Sequence, residues 1–414
     1  MPMEIYKFIS LIFAVAAFIG FINHRFLKIS PSVAIMMGML IISFILIIGE
    51  ASGFFRIPKA IAQAPSLINF HELLINGLIS FLLFAGSLTV DTHFLFKQRL
   101  EIFILSVFST IVSTFLIAFA IYYVLILFGI NLSLIYCLLF GALISPTDPI
   151  AVLAICKELR APKQLEVILA GESLFNDGVG IVLFATFYGI LTQGLPFTWQ
   201  NTTLIFIRSV LGGIGYGIIL GFIARYLIKC VLDHRVAILI TVAITTAGYT
   251  FAQSLSISGP LAIVVAGLFV GSLRHTTKRY DHIMPGIENF WDVIDEVLNA
   301  LLFALLGLEL LMTHFSLPIL IISLITILIV LLSRFITVII PFSLLKIWRK
   351  YSSHIILILT WGGMRGALAV ALTLSLPLGK ERDLILCMTY AVVVFAIICQ
   401  GLSIKSLVKK SKDA

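Results

Sequence analysis

The chain has 414 residues, of which 60% are hydrophobic and 12% charged, against roughly 25% charged in an ordinary soluble domain. Soluble domains of this size leave much of their surface to water and cannot bury so many apolar side chains. Disorder needs the opposite composition. An all-α polytopic membrane protein remains, and the net charge of +8 carries no nucleic-acid reading without a basic face on a soluble domain.

A helix needs about 20 apolar residues to cross a hydrocarbon core of about 30 Å. Runs at 3–22, 32–50, 72–90, 101–127, 132–156, 164–191, 202–229, 236–255, 259–273, 289–312, 317–345, 354–376 and 384–404 predict about thirteen transmembrane helices. None of these runs has the period-2 alternation of a barrel strand. Every second break is basic: Arg25 and Lys28; Lys97 and Arg99; Lys157, Arg160 and Lys163; Arg225, Lys229 and Arg235; Arg274, Lys278 and Arg279; Lys346, Arg349 and Lys350; and Lys405, Lys409, Lys410 and Lys412. The opposite side holds only Lys7, Arg56, Lys59, Lys380 and Arg382. This asymmetry predicts a multi-pass protein of the cell's inner (plasma) membrane, with the N-terminus outside and the C-terminus cytoplasmic.

The first segment carries Lys7 together with Glu4 and is followed at once by His24-Arg25, so it reads as a retained helix and not a cleaved leader. The five cysteines (137, 156, 230, 387 and 399) fall within or at the ends of apolar runs and read as packing residues. The histidines show no metal-ligand spacing, and no cofactor is expected. Gly213, Gly217 and Gly221 recur every four residues in the seventh run, the pattern of close helix packing through small residues. Residues 405–414 form a short basic cytoplasmic tail suited to anionic membrane lipid.

Ionisable residues at membrane depth cost roughly 2.5–3.5 kcal/mol each on insertion scales and are functional candidates by default. At about 1.5 Å per helical residue, Asp148, Asp177 and Arg365 all fall near half depth, with Glu172 about one turn nearer the cytoplasm. Two of these charges lie on interrupted backbone. Ser145-Pro146-Thr147-Asp148-Pro149 has two prolines in mid-span, and Gly362-Gly363-Met364-Arg365-Gly366 is glycine-rich. Each proline removes a backbone donor and clashes with the preceding turn, and broken backbone survives at membrane depth only where it is buried in protein or lines a cavity. The breaks fall in the fifth and twelfth runs, which run in opposite directions. They therefore predict two inverted-topology repeats whose broken helices cross at mid-membrane, the usual place of a transporter's binding site. The repeats would be about 1–191 and 236–404, joined by a linker helix at about 202–229, in one transporter domain spanning 1–404.

Within Gly171-Glu172-Ser173-Leu174-Phe175-Asn176-Asp177-Gly178, positions four apart share a helix face. Ser173 and Asp177 present a hydroxyl and a carboxylate, hard oxygen ligands for a small alkali cation. Glu172 stacks with Asn176 on another face, where Arg365 is its expected ionic partner. Asp177 is then the unpaired titrating group, able to hold a proton or a cation but not both well. Asp292, Asp295 and Glu296, just inside the tenth run, could form a cytoplasmic funnel that attracts cations or a solvated helix end. Arg334, deep in the eleventh run, reads as structural. Two rival readings are an intramembrane aspartyl protease using Asp148 and Asp177, and a cation channel. Neither calls for paired helix breaks beside a single titratable site.

These three motifs, in this order, resemble the core motifs of the sodium/proton exchangers, in the electroneutral branch of the monovalent cation/proton antiporters, and the likeness covers nearly the whole chain. The resemblance implies a secondary active antiporter, not an enzyme, exchanging Na+ (or Li+ or K+) for H+ and serving pH homeostasis. It implies a homodimer. It also implies an ion-binding and proton-exchanging group of Asp177, Ser173, Thr147, Asp148 and Asn176, in which Asp177 binds the ion with Ser173 and the backbone at Thr147, Asp148 offsets the dipoles of the broken helix ends, and Asn176 marks one-for-one exchange. The sequence departs from several relatives at Ala85, in Leu82-Leu83-Phe84-Ala85-Gly86, where they carry an acidic residue.

Overall fold

The computed structural model describes residues 2–27, 31–54, 77–193, 199–231, 233–275, 282–309, 317–345 and 353–410. Helices fill the predicted runs: α1 (Pro2–Ile22), α2 (Pro31–Ala51), α3 (Ile79–Thr89), the short α4 (Thr92–Lys97), α5 (Arg99–Leu127), α6 (Leu134–Ile144) and α7 (Ile150–Glu158). They continue with α8 (Lys163–Gln193), α9 (Trp199–Cys230), α10 (His234–Ser254), α11 (Gly259–Gly271), α12 (Met284–Glu309), α13 (Leu317–Leu345), α14 (Ser353–Trp361), α15 (Ala367–Leu374), α16 (Lys380–Phe395) and α17 (Gly401–Lys410). Among the described residues, seven helices are long and apolar enough to cross a membrane unbroken. Lys28, Arg56, Lys59, Lys278, Arg279, Lys346, Arg349, Lys350 and Lys412, all used in the charge census, lie outside the described residues, as do 72–76 and 310–312 of the predicted runs.

The surface is apolar, as a lipid-facing surface must be. Leu324, Leu328 and Leu332 repeat every four residues along α13 and are all at least half exposed, as are Leu211, Ile219, Phe222 and Tyr226 on α9. The interior combines a large apolar core with buried serines, threonines and close-packed glycines. The glycine repeat of α9 lies directly against α11: a Cβ on Gly213 would sit 2.6 Å from the Ser258 carbonyl oxygen, and one on Gly217 2.6 Å from that of Ala262. Ser258 also caps α11, accepting from the Leu261 N–H at 3.2 Å.

A proline inside α13, Pro341, cannot donate to the carbonyl four residues back, which belongs to Thr337. That orphan acceptor is taken across the helix boundary by the Ser109 hydroxyl of α5, which donates to Thr337 O at 2.8 Å, while Ser113 Oγ and Thr337 Oγ1 lie 3.2 Å apart. Ser109, Ser113 and Thr337 are buried, so α5 and α13 are joined by polar contacts as well as apolar packing.

The two expected breaks are present. The helix α6 stops at Ile144 and α7 begins at Ile150; α14 stops at Trp361 and α15 begins at Ala367. The extended stretches touch, because the Asp148 N–H donates to the Met364 carbonyl at 2.8 Å. Gly363 and Gly366 are needed at this junction, since a Cβ at the first would lie 2.5 Å from Arg334 Nε and one at the second would collide with the Asp148 carboxylate.

Two stability outcomes follow. Gly217→Val forces α9 away from the Ala262 backbone and should lower the melting temperature in detergent far more than Gly215→Val, whose Cβ meets no neighbour. Ser109→Ala, which orphans the Thr337 carbonyl, should cost about 0.6–1.7 kcal/mol, the range of interhelical hydrogen bonds in membranes. An unchanged unfolding midpoint would show that the carbonyl finds another donor.

Candidate functional site

The junction opens into a cavity of about 540 Å³. Its wall is built from α3, the α6–α7 break, α7, α8, α12 and the start of α15. Thr147, Asp148, Ser173 and Asp177 all line it, as do Asp292, Asp295 and Glu296. Of the residues named from sequence as ion-binding, four therefore meet the funnel residues in one space; the fifth, Asn176, does not line it, because its amide is turned to Thr147. Ala85 is buried but does not line it; its neighbour Gly86 does.

The polar stripe of α12 extends further than the sequence reading took it. Asn299 also lines the cavity, completing a spacing of three, four and seven residues from Asp292 that marks one helix face. The flank of α12 beside this stripe is anchored by fully buried Trp291, which donates from Nε1 to Thr241 Oγ1 at 2.9 Å and packs on Phe84 at a ring separation of 4.6 Å. That anchor turns the acidic stripe toward the cavity.

The two faces of α8 divide as their periodicity predicts, but the partner of Glu172 differs. Ser173 and Asp177 line the cavity; Glu172 and Asn176 are 1% exposed and lie away from it. Glu172 pairs with Arg334 of α13, not with Arg365: Arg334 Nη1 donates to Oε1 and Nη2 to Oε2 at 3.0 Å, so the contact is bidentate. Arg334 also donates from Nε and Nη2 to the Leu359 carbonyl near the end of α14, at 3.2 and 2.8 Å. Arg334 had the signal that Arg365 had. It lies eleven residues from the end of its helix at Leu345, about 16 Å deep at the helical rise. Depth therefore does not single out Arg365, and helix adjacency gives Glu172 to Arg334.

Arg365 instead serves the backbone. Its Nη1 donates to the carbonyls of Ser145 at 2.5 Å and Pro146 at 2.8 Å, just past the C-terminal end of α6. Across the break, Asp148 Oδ1 accepts from the N–H of Ile150, the first residue of α7, at 3.0 Å. A cation thus stands at the negative end of one half-helix and an anion at the positive end of the next, the arrangement that the helix dipole favours.

Asn176 belongs to the ion-pair side. Its Nδ2 donates to Thr147 Oγ1 at 2.8 Å, and the Thr147 hydroxyl lies 3.5 Å from Glu172 Oε1 as donor. The chain Asn176–Thr147–Glu172–Arg334 links α8 to the break and to α13, and it fixes Thr147 beside Ser173 and Asp177. Removing one partner of a buried pair costs about 3–5 kcal/mol. A double-mutant cycle on detergent unfolding should therefore give Glu172→Gln a larger coupling with Arg334→Met than with Arg365→Met. Equal couplings would overturn the assignment of the pair.

Comparison with known proteins agrees with this geometry. Residues 13–410 match the family described as "Sodium/hydrogen exchanger, transmembrane". The chain is 40% identical over 406 residues to the Na(+)/H(+) antiporter NhaP of Pseudomonas aeruginosa, covering 96% of each chain. It is 33% identical to the Na(+)/H(+) antiporter NhaH of Halobacillus dabanensis, covering 82% of this chain and 83% of the relative. Its fold resembles that of the sodium proton antiporter MjNhaP1 from Methanocaldococcus jannaschii, with a TM-score of 0.77 at 20% identity and 99% coverage of both chains. The family match spans both broken helices, the cavity and the carboxylates on its wall: the chain belongs to the transmembrane sodium/hydrogen exchangers.

Proposed function

We propose that the chain is a secondary active antiporter that exchanges Na+ for H+ through competition of the two for Asp177. The observation that carries this reading is the placement of Ser173, Asp177 and Thr147 on one wall of a cavity at the crossing of two broken helices. Na+ is a hard cation and prefers oxygen ligands, which a hydroxyl, a carboxylate and the break at Thr147 supply. Nothing in this donor set excludes Li+ or K+ as alternative cargo. Protonation of Asp177 removes the charge that holds the cation, so either species can be carried but not both together.

The finer features of the proposal rest on the same residues. Asp177 would carry a single exchangeable charge, because the preceding position is the neutral Asn176, engaged with Thr147; that supports one-for-one exchange. Two inverted repeats, about 1–191 and 236–404 with a linker at about 202–229 and the tail at 405–414, would rock around the fixed crossing to give alternating access. The Lys and Arg asymmetry supports an external N-terminus and a cytoplasmic C-terminus in the plasma membrane, and the family resemblance supports a homodimer. The acidic stripe Asp292, Asp295 and Glu296 would concentrate cations at the cytoplasmic approach. A protease or channel finds no support in a match to exchangers across almost the entire chain.

Purified protein in proteoliposomes, with a pH-sensitive dye inside, tests the reading. Wild type should show proton flux on addition of Na+, with an apparent KM that rises as pH falls because protons occupy the same carboxylate. Asp177→Asn should abolish the flux while the protein remains inserted and monodisperse. Exchange by Asp177→Asn at the wild-type rate would sink the proposal.

A further inference from the structure

The cavity holds one group that the exchange reading does not use. Besides the carboxylates of Asp148, Asp177, Asp292, Asp295 and Glu296, its wall includes Lys157, the only cationic side chain among the described residues that line it. Lys157 stands in the last turn of α7, the half-helix that starts at the crossing. Nine residues separate it from Asp148, about 13 Å at the helical rise, so it marks the outer end of the cavity as Asp148 marks the inner. The acidic stripe of α12 spans the same interval: Asp292 lies within electrostatic reach of Lys157, and Asp295 within reach of Asp148.

The backbone under Lys157 is held from the other side. Glu158 pairs with Lys405 of α17 at 2.7 Å. Cys156, one residue before Lys157, is fully buried in the apolar cluster that also contains Ile404 and Val408 of α17. The last turn of α7 is therefore fixed, while Lys157 is exposed on a flexible four-carbon stem with three donors. Its ammonium acts on Asp292 at the mouth without any movement of the helix.

We propose that Lys157 is a tethered competitor of the transported cation: its ammonium offsets part of the acidic field at the mouth of the cavity and so sets the apparent affinity for Na+ without touching the ion at Asp177. The inference rests on the exchange reading. An acidic funnel raises the local concentration of cations, and a built-in cation lowers it by a factor that depends on charge and on salt. Lys157 is then a specificity-determining residue for affinity and not a ligand.

The test is a charge series in the full chain, Lys157→Arg, Lys157→Gln and Lys157→Glu, reconstituted in proteoliposomes and assayed for Na+-driven proton flux at low ionic strength. Lys157→Arg should match wild type. The apparent KM for Na+ should fall about two- to fivefold in Lys157→Gln and further in Lys157→Glu, with kcat unchanged throughout. In about 0.5 M choline chloride, where the screening length is only a few ångströms, the series should converge. A KM that does not follow the charge, a spread that persists in high salt, or an effect confined to kcat would each overturn the role of Lys157. Lack of Na+-driven flux in wild type would instead overturn the exchange reading, and this inference with it.

Discussion

Four helix ends meet at membrane depth, where their backbone groups must find partners outside their own helices, and the rest of the structure is arranged around that constraint. A transmembrane helix normally hides every backbone polar group within itself, whereas here α6, α7, α14 and α15 all terminate at mid-span. The Asp148 N–H to Met364 carbonyl bond ties the two extended stretches together. Arg365 donates hydrogen bonds to the carbonyl end of α6, and Asp148 supplies an acceptor to the amide end of α7. Gly363 and Gly366 follow from this junction, because Arg334 and Asp148 occupy the volume that side chains would need.

The long helix α8 then separates two tasks by one helical repeat. The face bearing Glu172 and Asn176 is given to the permanent network through Thr147 to Arg334, and the face bearing Ser173 and Asp177 is given to the cavity. A fully paired carboxylate and an unpaired one can thus lie five residues apart without exchanging roles. The surrounding helices are held by their own polar contacts: Trp291 ties α12 to α10, and the Ser109 bridge between α5 and α13 makes good the acceptor freed by Pro341.

Much of this was legible in the residues alone. Continuous apolar runs located the helices, because few other arrangements satisfy the backbone in lipid, and Pro146, Pro149 and the glycines at 362–366 located the breaks. The four-residue stacking along α8 sorted its polar side chains onto their proper faces. The partner of Glu172 was not legible, because distance along a helix measures depth and says nothing about which helices are neighbours; Arg334 and Arg365 are equivalent by that measure. Asn299 carried a readable signal in its spacing from Asp292 and Asp295. The Ser109–Thr337 bond did not: a proline names the orphaned carbonyl but not the helix that supplies its donor.

The wiring of Asn176 has a consequence for energetics. With the amide bound to Thr147, Asp177 would be the single exchangeable charge of the proposed cycle, which would then carry one positive charge each way. Such a cycle moves no net charge, so the membrane voltage, worth about 2.3 kcal/mol per charge at 100 mV, neither drives nor opposes it. The carrier comes to rest when the sodium and proton concentration ratios across the membrane are equal, so that a tenfold sodium gradient sustains one unit of pH difference. Its direction would be set by the two concentration gradients alone and would reverse whenever their ranking does.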